Sequence, residues 1–119
     1  MGGMVRFSRV KVVPEGGGRV KVVNGVPVIV VRYGGSFRAF VAVCPHKWYV
    51  LCDRSVRDGF ITCPGHGERF RVSDGSPSVG KAREGLVELA VEVRGGEVYV
   101  EAPGREVLER LVRSTSGGG

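Results

Sequence analysis

Residues 20–43 read VKVVNGVPVIVVRYGGSFRAFVAV, which is three apolar stretches separated by two short glycine-containing turns. Val, Ile and Phe favour strands, because their side chains pack well on a pleated surface. Asn24-Gly25 is a strong two-residue hairpin signal, and Gly34-Gly35 is a second one. The stretch therefore predicts consecutive antiparallel strands at Arg19–Val23, Val26–Tyr33 and Ser36–Val43.

Similar features occur on both sides of this stretch. Val5–Val13 is rich in β-branched residues and ends before Pro14. In Val87–Arg94, apolar and other residues alternate with the period of two that marks a half-buried strand. Gly95-Gly96 then turns the chain into Glu97–Glu101, where the alternation continues. Short strands joined by glycine-rich turns predict an all-β fold, an antiparallel sandwich or barrel.

The middle of the chain has a different composition. Turn-forming residues are frequent between Cys44 and Pro77, and only short strands fit, near Gly59–Thr62 and Glu68–Val72. We interpret residues 43–78 as a small, loop-built subdomain inserted between core strands. An apolar stripe in residues 104–113 predicts a short C-terminal helix, with a tail that ends at residue 119. We expect residues 1–119 to form one domain.

Composition narrows the class of protein. The chain has 119 residues and a net charge of +6, spread along it mainly as single arginines. No basic run with interleaved aromatics occurs, so the charge predicts an acidic protein partner rather than nucleic acid. No apolar segment is long enough for a membrane span, and no signal-peptide core begins the chain. Arginine-rich, amide-poor composition suggests a thermophilic source, although genomic base composition gives the same bias.

Two short motifs carry the chemistry. Cys44-Pro45-His46 and Cys63-Pro64-Gly65-His66 are separated by 16 residues and contain both histidines and two of the three cysteines. Thiolate and imidazole are the ligands that soft and borderline metals prefer. Zinc accepts such a set, whereas a mixed-ligand [2Fe–2S] cluster takes two cysteines on one iron and two histidines on the other. Each motif here holds one cysteine and one histidine, which favours the iron–sulfur cluster over zinc.

The motifs and their flanks resemble those of the Rieske iron–sulfur family. Gly67 and Phe70, followed by Gly75 and Pro77, resemble the family's run after the second histidine. The match covers about residues 5–102. The resemblance implies a [2Fe–2S] cluster and the family's antiparallel β-fold. It also implies the cluster ligands: Cys44 and Cys63 on a buried iron, His46 and His66 on an outer iron.

This sequence also departs from the respiratory members of that family. Those proteins brace the two loops with a disulfide, but Tyr49 and Gly65 stand at the matching positions here. They also place hydroxyl donors near the cluster where this chain has Glu68 and Phe70. Hydroxyl hydrogen bonds stabilise the added electron and a carboxylate disfavours it. We therefore expect a reduction potential near the lower end of the Rieske range, about −150 mV.

The resemblance implies a soluble, cytoplasmic one-electron carrier and not an enzyme. It would pass electrons from a reductase to a terminal oxygenase or other redox enzyme, without a small-molecule substrate of its own. One alternative is the small Rieske subunit of a nitrite reductase-like enzyme, and another is a zinc-binding interaction module.

Several further residues carry expectations of their own. We predict that Trp48 and Tyr49 shield the cluster or pack locally rather than bind a substrate. We also predict that Cys52 is a core thiol rather than a ligand or a redox switch. Three cysteines make no disulfide framework, which fits a reducing compartment. Five basic residues either surround the exposed histidine edge with positive charge, which would suit an acidic partner, or are scattered solvated charges: Lys47, Arg54, Arg57, Lys81 and Arg83.

Overall fold

The computed structural model describes residues 3–43, 50–63, 68–79, 85–104 and 107. Two single 3-10 turns occur there, Val10–Val12 and Asp53–Ser55. The strands are β1 (Met4–Arg9), β2 (Gly17–Val23), β3 (Val26–Tyr33), β4 (Ser36–Val41), β5 (Val56–Arg57), β6 (Phe60–Thr62), β7 (Arg69–Arg71), β8 (Pro77–Val79), β9 (Glu88–Leu89), β10 (Val91–Arg94) and β11 (Glu97–Glu101). The predicted all-β fold is confirmed.

The strands form three antiparallel sheets. An outer sheet has the order β1-β11-β10, a central sheet has the order β2-β3-β4-β9, and a small sheet has the order β5-β6-β7-β8. Every pairing within them is antiparallel. The small sheet lies within the stretch between β4 and β9 that the sequence marks as an insertion.

The central sheet separates two apolar cores. The first core joins its Val28, Val30 and Val41 to Val98 and Val100 of the outer sheet. The second core joins side chains on the opposite face of the central sheet to those of the small sheet. Its members include Ile29, Val31, Phe40, Ala42, Leu51, Ile61, Cys63 and Phe70. Burial on both faces explains why β3 is a continuous apolar run rather than an alternating one.

Both predicted hairpins of residues 20–43 are confirmed. The turn between β2 and β3 has positive φ at Asn24 and Gly25, 53° and 80°. The turn between β3 and β4 has positive φ at Gly34 and Gly35, 62° and 81°. Two consecutive residues with positive φ give the turn whose twist matches that of the flanking strands, and Asn and Gly tolerate it best.

The predicted strand Val5–Val13 is too long. β1 ends at Arg9, and Val10–Val12 form a 3-10 turn. The Val13 N–H donates to the Val10 carbonyl, and the Val10 N–H donates to the carbonyl of Gly96. The turn places the Val13 side chain, which is fully buried, in the first core.

The predicted strand Val87–Arg94 is two strands in two sheets. β9 pairs with β4 in the central sheet, whereas β10 pairs with β11 in the outer sheet. The chain changes sheets at Ala90. The Ala90 N–H donates to the Glu101 carboxylate, and the Glu101 N–H donates to the Ala90 carbonyl. Alternation continues through this change, so the pattern in the sequence does not reveal it. Val93 is 45% exposed and lies on β10, an edge strand of the outer sheet.

The subdomain contains more regular structure than predicted. Its two expected strands are present as β6 and β7, and β5 and β8 extend them into a four-stranded sheet. Of the predicted C-terminal helix, Gly104 and Val107 lie within the described residues. Gly104 is not helical, whereas Val107 is helical and packs against the first core. The described part of the chain contains no helix with the length and apolar character needed to cross a membrane.

Candidate metal centre

The first motif occupies a connection whose two ends lie side by side. An isolated antiparallel bridge joins Val43 to Val50. Beside it, the Leu51 N–H donates to the Ala42 carbonyl over 2.9 Å. Residues 44–49, which include Cys44, His46, Trp48 and Tyr49, lie outside the described residues. The structure therefore defines the base of this loop.

The second motif begins at the end of β6. Thr62 of β6 pairs with Arg69 of β7. One residue further towards the loop, the Cys63 N–H donates to the Glu68 carbonyl over 2.7 Å. The four residues between Cys63 and Glu68, which include His66, lie outside the described residues. The second loop thus also leaves from a closed, hydrogen-bonded base.

The bases of both loops share one core. Ala42 and Leu51 at the base of the first loop belong to the second apolar core, together with Cys63 at the base of the second. All three side chains are at most 1% exposed. Two segments that are well separated in the sequence thus start from a common buried floor, which supports the interpretation that the two motifs act together.

Among the four predicted ligands, Cys63 is the one that the structure describes. Its side chain is fully buried and forms no disulfide. Since the other three lie outside the described residues, the described part holds no group of three metal-ligating side chains. The disulfide positions Tyr49 and Gly65 also lie outside it.

The prediction that Cys52 is a core thiol is wrong. Cys52 is exposed, and its sulfur lies 3.5 Å from the Ser55 hydroxyl. The Cys52 N–H donates to that same hydroxyl over 3.0 Å. Cys52 precedes the 3-10 turn Asp53–Ser55 and so occupies a capping position rather than a core position.

The segment that follows the second motif has two buried side chains. Glu68 is 2% exposed, and Phe70 is fully buried in the second core. These are the two positions that the sequence associates with a low potential. The structure places both residues at the buried base of the second loop.

The segment that follows the first loop is tied to the central sheet. Asp53 accepts the Val20 N–H of strand β2 over 2.7 Å, and its other carboxylate oxygen lies 3.7 Å from Arg19. Val20 also packs against the second core. Asp53 therefore satisfies an N–H on the edge of the central sheet and fixes the chain just beyond the loop.

The small sheet meets the central sheet closely at Gly75. A Cβ on Gly75 would lie 2.8 Å from the Phe40 ring, and φ at this residue is +76°. The Leu86 N–H donates to the Gly75 carbonyl over 2.8 Å. Only glycine fits this contact, which holds the turn after β7 against the central sheet.

Comparison with known proteins identifies the family. The Rieske [2Fe-2S] domain family matches this chain over residues 4–90, a range that includes both motifs. The chain therefore belongs to the Rieske [2Fe-2S] domain family.

Its relatives include ferredoxins. The chain is 37% identical to the ferredoxin CarAc of Metapseudomonas resinovorans over 82 residues, 69% of this chain and 77% of that protein. It is 33% identical over 88 residues to the cytochrome b6-f complex iron-sulfur subunit of Chlorobaculum tepidum, 74% of this chain but 48% of that protein. Among solved structures, the ferredoxin of carbazole 1,9a-dioxygenase from Nocardioides aromaticivorans matches with a TM-score of 0.76 and 30% identity, covering 84% of this chain and 98% of that one.

These comparisons decide between the candidate metals and between carrier and enzyme. The cofactor is the [2Fe–2S] cluster of the Rieske family, so the zinc alternative is set aside. The relation to ferredoxins makes the chain an electron carrier rather than an enzyme. The described residues fit such a cluster, because Cys63 offers a buried sulfur that no disulfide occupies.

One feature beside the site does not follow from the motifs. Arg69 and Arg71, which come after the second motif, are both exposed on β7 and flank the buried Phe70. The sequence does indicate this exposure, because Arg69-Phe70-Arg71 alternates charged and apolar residues as a half-buried strand does.

Proposed function

We propose that this chain is a soluble, cytoplasmic ferredoxin that carries one electron at a time from a reductase to a terminal oxygenase or another redox enzyme. Its cluster ligands are Cys44, His46, Cys63 and His66. The observation that supports this most is the common floor of the two loops, in which Ala42, Leu51 and Cys63 share one core. Both loops thus start from the same buried floor.

The residues of this chain have distinct roles in that proposal. The cluster supplies a site that gains and loses one electron. Cys63 holds it from the protein side, while Leu51 and Phe70, which are at most 1% exposed, keep water away from that sulfur. Exclusion of water and the nearby Glu68 both disfavour the added negative charge, so the midpoint potential stays low.

The oxygenase partner is proposed on similarity. One matching structure is the ferredoxin of a dioxygenase, and this chain covers nearly all of it. We propose that the partners present acidic docking surfaces, because the chain has a net charge of +6. We also propose that residues 1–119 are one Rieske-type domain, with the cluster-binding part at about 43–78 and the C-terminal helix and tail at 104–119.

Spectroscopy of the reduced protein tests the ligand set. The protein is purified without oxygen, its iron and sulfide are measured, and an electron paramagnetic resonance spectrum is recorded after dithionite reduction. We expect equal iron and sulfide, and an average g value below that of clusters held by cysteine alone. Iron without sulfide, or an all-cysteine spectrum, would contradict the proposal.

Two matched cysteine variants make the test specific. Cys63→Ser should lose most of the cluster, because it removes a ligand at the loop base. Cys52→Ser should keep the full iron content and an unchanged spectrum, because Cys52 lies on the surface. Equal cluster content in the two variants would count against Cys63 as a ligand.

A further inference from the structure

One face of the small sheet carries a concentration of arginines. Cross-strand pairs join Phe60 to both Arg57 and Arg71, and Thr62 to Arg69. Cross-strand partners lie on the same face, and side chains alternate between faces along a strand. These five side chains therefore point away from the second core, into which Ile61 and Phe70 point. We call this surface, formed by Arg57, Phe60, Thr62, Arg69 and Arg71, the arginine face.

Its three arginines are close together and exposed. Arg69 and Arg71 are two residues apart on β7, which places their Cα atoms about 7 Å apart. Arg57 is two strands away from Arg71, a separation of about 10 Å. Three positive charges thus lie within a range comparable to the Debye length of about 8 Å at physiological salt.

In the part of the chain that the structure describes, most of the positive charge of this face has no paired carboxylate, although Asp74 interacts electrostatically with Arg71. Elsewhere in the described chain, carboxylates pair with Arg6, Arg19, Arg32, Arg38 and Arg94. None of those five ion pairs involves the three arginines of the face. The four strands of the small sheet contain no acidic residue.

Acidic residues lie at both ends of the small sheet, but Glu68, next to Arg69, is only 2% exposed. Asp58 is in the β5–β6 turn, and Asp74 follows β7, where the Ser76 N–H donates to its carboxylate. The opposite end of the face, at Thr62 and Arg69, adjoins the base of the second ligand loop. The exposed positive charge therefore extends to the base of the second loop, since Glu68 there is buried away from the surface.

Hydrogen bonds and ring contacts orient two of the arginines. The Arg69 guanidinium lies over the Phe60 ring, 5.8 Å from its centroid. Arg71 donates from one nitrogen to the Ser76 hydroxyl and the Pro77 carbonyl. A guanidinium held in place loses less side-chain entropy when it binds a carboxylate with two parallel hydrogen bonds.

We propose that the arginine face is a docking surface for a carboxylate-rich protein surface on a redox partner of this chain. The proposal rests on the proposed electron-carrier function and names the surface that one partner would contact. Arginine and aromatic side chains are enriched in protein interfaces. Three exposed guanidinium groups match an acidic patch, and they would bring it beside the base of the second loop.

Nucleic acid fits this face less well. Single-stranded nucleic acid needs open aromatic rings on which bases stack, but the Arg69 guanidinium covers the Phe60 ring. Three charges are also few compared with the roughly 6 to 10 phosphate contacts of a typical DNA-binding protein.

Stopped-flow electron transfer tests the proposal. The probe is hydroquinone flavodoxin, a small acidic protein: it loses one electron, and the oxidised cluster gains it. The test variant is Arg57→Gln/Arg69→Gln, which leaves Arg71 and its hydrogen bonds intact. The matched control is Arg6→Gln/Arg94→Gln, which removes the same charge from the outer sheet, on the far side of the central sheet.

The expected result is a difference between the two double variants. Electrostatic steering raises association rates by about 10- to 1,000-fold, so losing two charges of the face should slow reduction about 2- to 10-fold at low salt. The dependence on salt should become flatter as well. The control should change the rate by less than about twofold. Equal rates in the two variants, or a wild-type rate that does not depend on salt, would overturn the proposal.

Two further measurements separate the possible failures. The reduced spectrum and midpoint potential of both variants should equal those of the wild type, which shows that the cluster is intact. A wild type without a histidine-ligated cluster would refute the proposed function, whereas a normal cluster with equal variant rates refutes the docking face alone. A labelled oligothymidylate that needs Arg57 and Arg69 for binding, while flavodoxin kinetics do not, would assign the face to nucleic acid instead.

Discussion

Replacement of Gly75 by alanine tests the close contact between the small sheet and the central sheet. The new methyl group would lie 2.8 Å and 3.1 Å from two carbons of the Phe40 ring and 3.3 Å from the Leu86 carbonyl oxygen. Real Cβ atoms do not approach other atoms this closely, so either the ring or the turn must move. Phe40 is fully buried, which leaves the ring little room.

The expected loss of stability has two parts. A residue with a side chain at φ of +76° costs roughly 1–2 kcal/mol relative to glycine. Overpacking of a filled core adds about 1–3 kcal/mol. Together, Gly75→Ala should lower the free energy of unfolding by about 2–5 kcal/mol.

Gly25→Ala is the matched control. Gly25 has a φ of +80°, but no atom beyond its chain neighbours lies within 4 Å of the position that an alanine methyl group would take, so this variant carries the conformational cost alone. Thermal unfolding followed by circular dichroism should give Gly75→Ala the lower midpoint, by roughly 4 °C or more. Equal losses of thermal stability in the two variants would refute the argument that the contact with Phe40 allows only glycine at position 75.

Three other contacts lead to predictions of their own. Glu68→Gln should raise the midpoint potential by tens of millivolts, since it removes a buried carboxylate beside the ligand loop, and voltammetry should show no such shift for the exposed Glu92→Gln. Asp53→Ala should cost about 1 kcal/mol of unfolding free energy in urea, because the Val20 N–H loses its acceptor, whereas Asp53→Asn keeps an acceptor and should cost less. Hydrogen bonds from Ser76 hold the pKa of Asp74 below its ordinary value of 3.8, so its contribution to stability is present above that pH and is lost as the pH falls through the lowered pKa. Asp74→Asn should therefore lose less thermal stability than the wild type between about pH 4 and pH 2, and parallel curves would contradict this assignment.

Local chemistry made much of the fold predictable. Asn24-Gly25 and Gly34-Gly35 specify hairpins through their own backbone preferences, and both hairpins are present. The alternation of Glu97–Glu101 likewise predicts β11 correctly. These features depend on neighbours in the sequence, which is why the sequence sufficed for them.

Features that depend on distant residues were not predictable in the same way. The predicted strand begins at Arg19, yet Gly17 and Gly18 also belong to β2. A Cβ on Gly18 would lie 2.8 Å from a methyl group of Val56, so this glycine allows close approach of the small sheet rather than a turn. The change of sheets at Ala90 and the exposure of Cys52 also depend on tertiary contacts that no local pattern encodes.

The candidate site shows the same division. The motifs predict Cys63 as a ligand and Phe70 as its neighbour, but the sequence does not show that Ala42 and Leu51 complete the same buried floor. That floor forms because Ala42 pairs with Leu51 across the first loop, a contact between segments that the loop separates. The arginine face is hidden from the sequence for a related reason, since its members come from three strands.

The burial of Cys63 bears on how fast an electron can move. Electron transfer is slow when many dipoles must reorient as the charge changes. Cys63 is fully buried and shares its core with Phe40, Ile61 and Phe70, which are also fully buried. A close-packed interior of this kind rearranges little. With Cys63 as a ligand, as proposed above, the packed residues around its sulfur would contribute a small reorganisation energy, so this part of the protein would favour fast electron transfer.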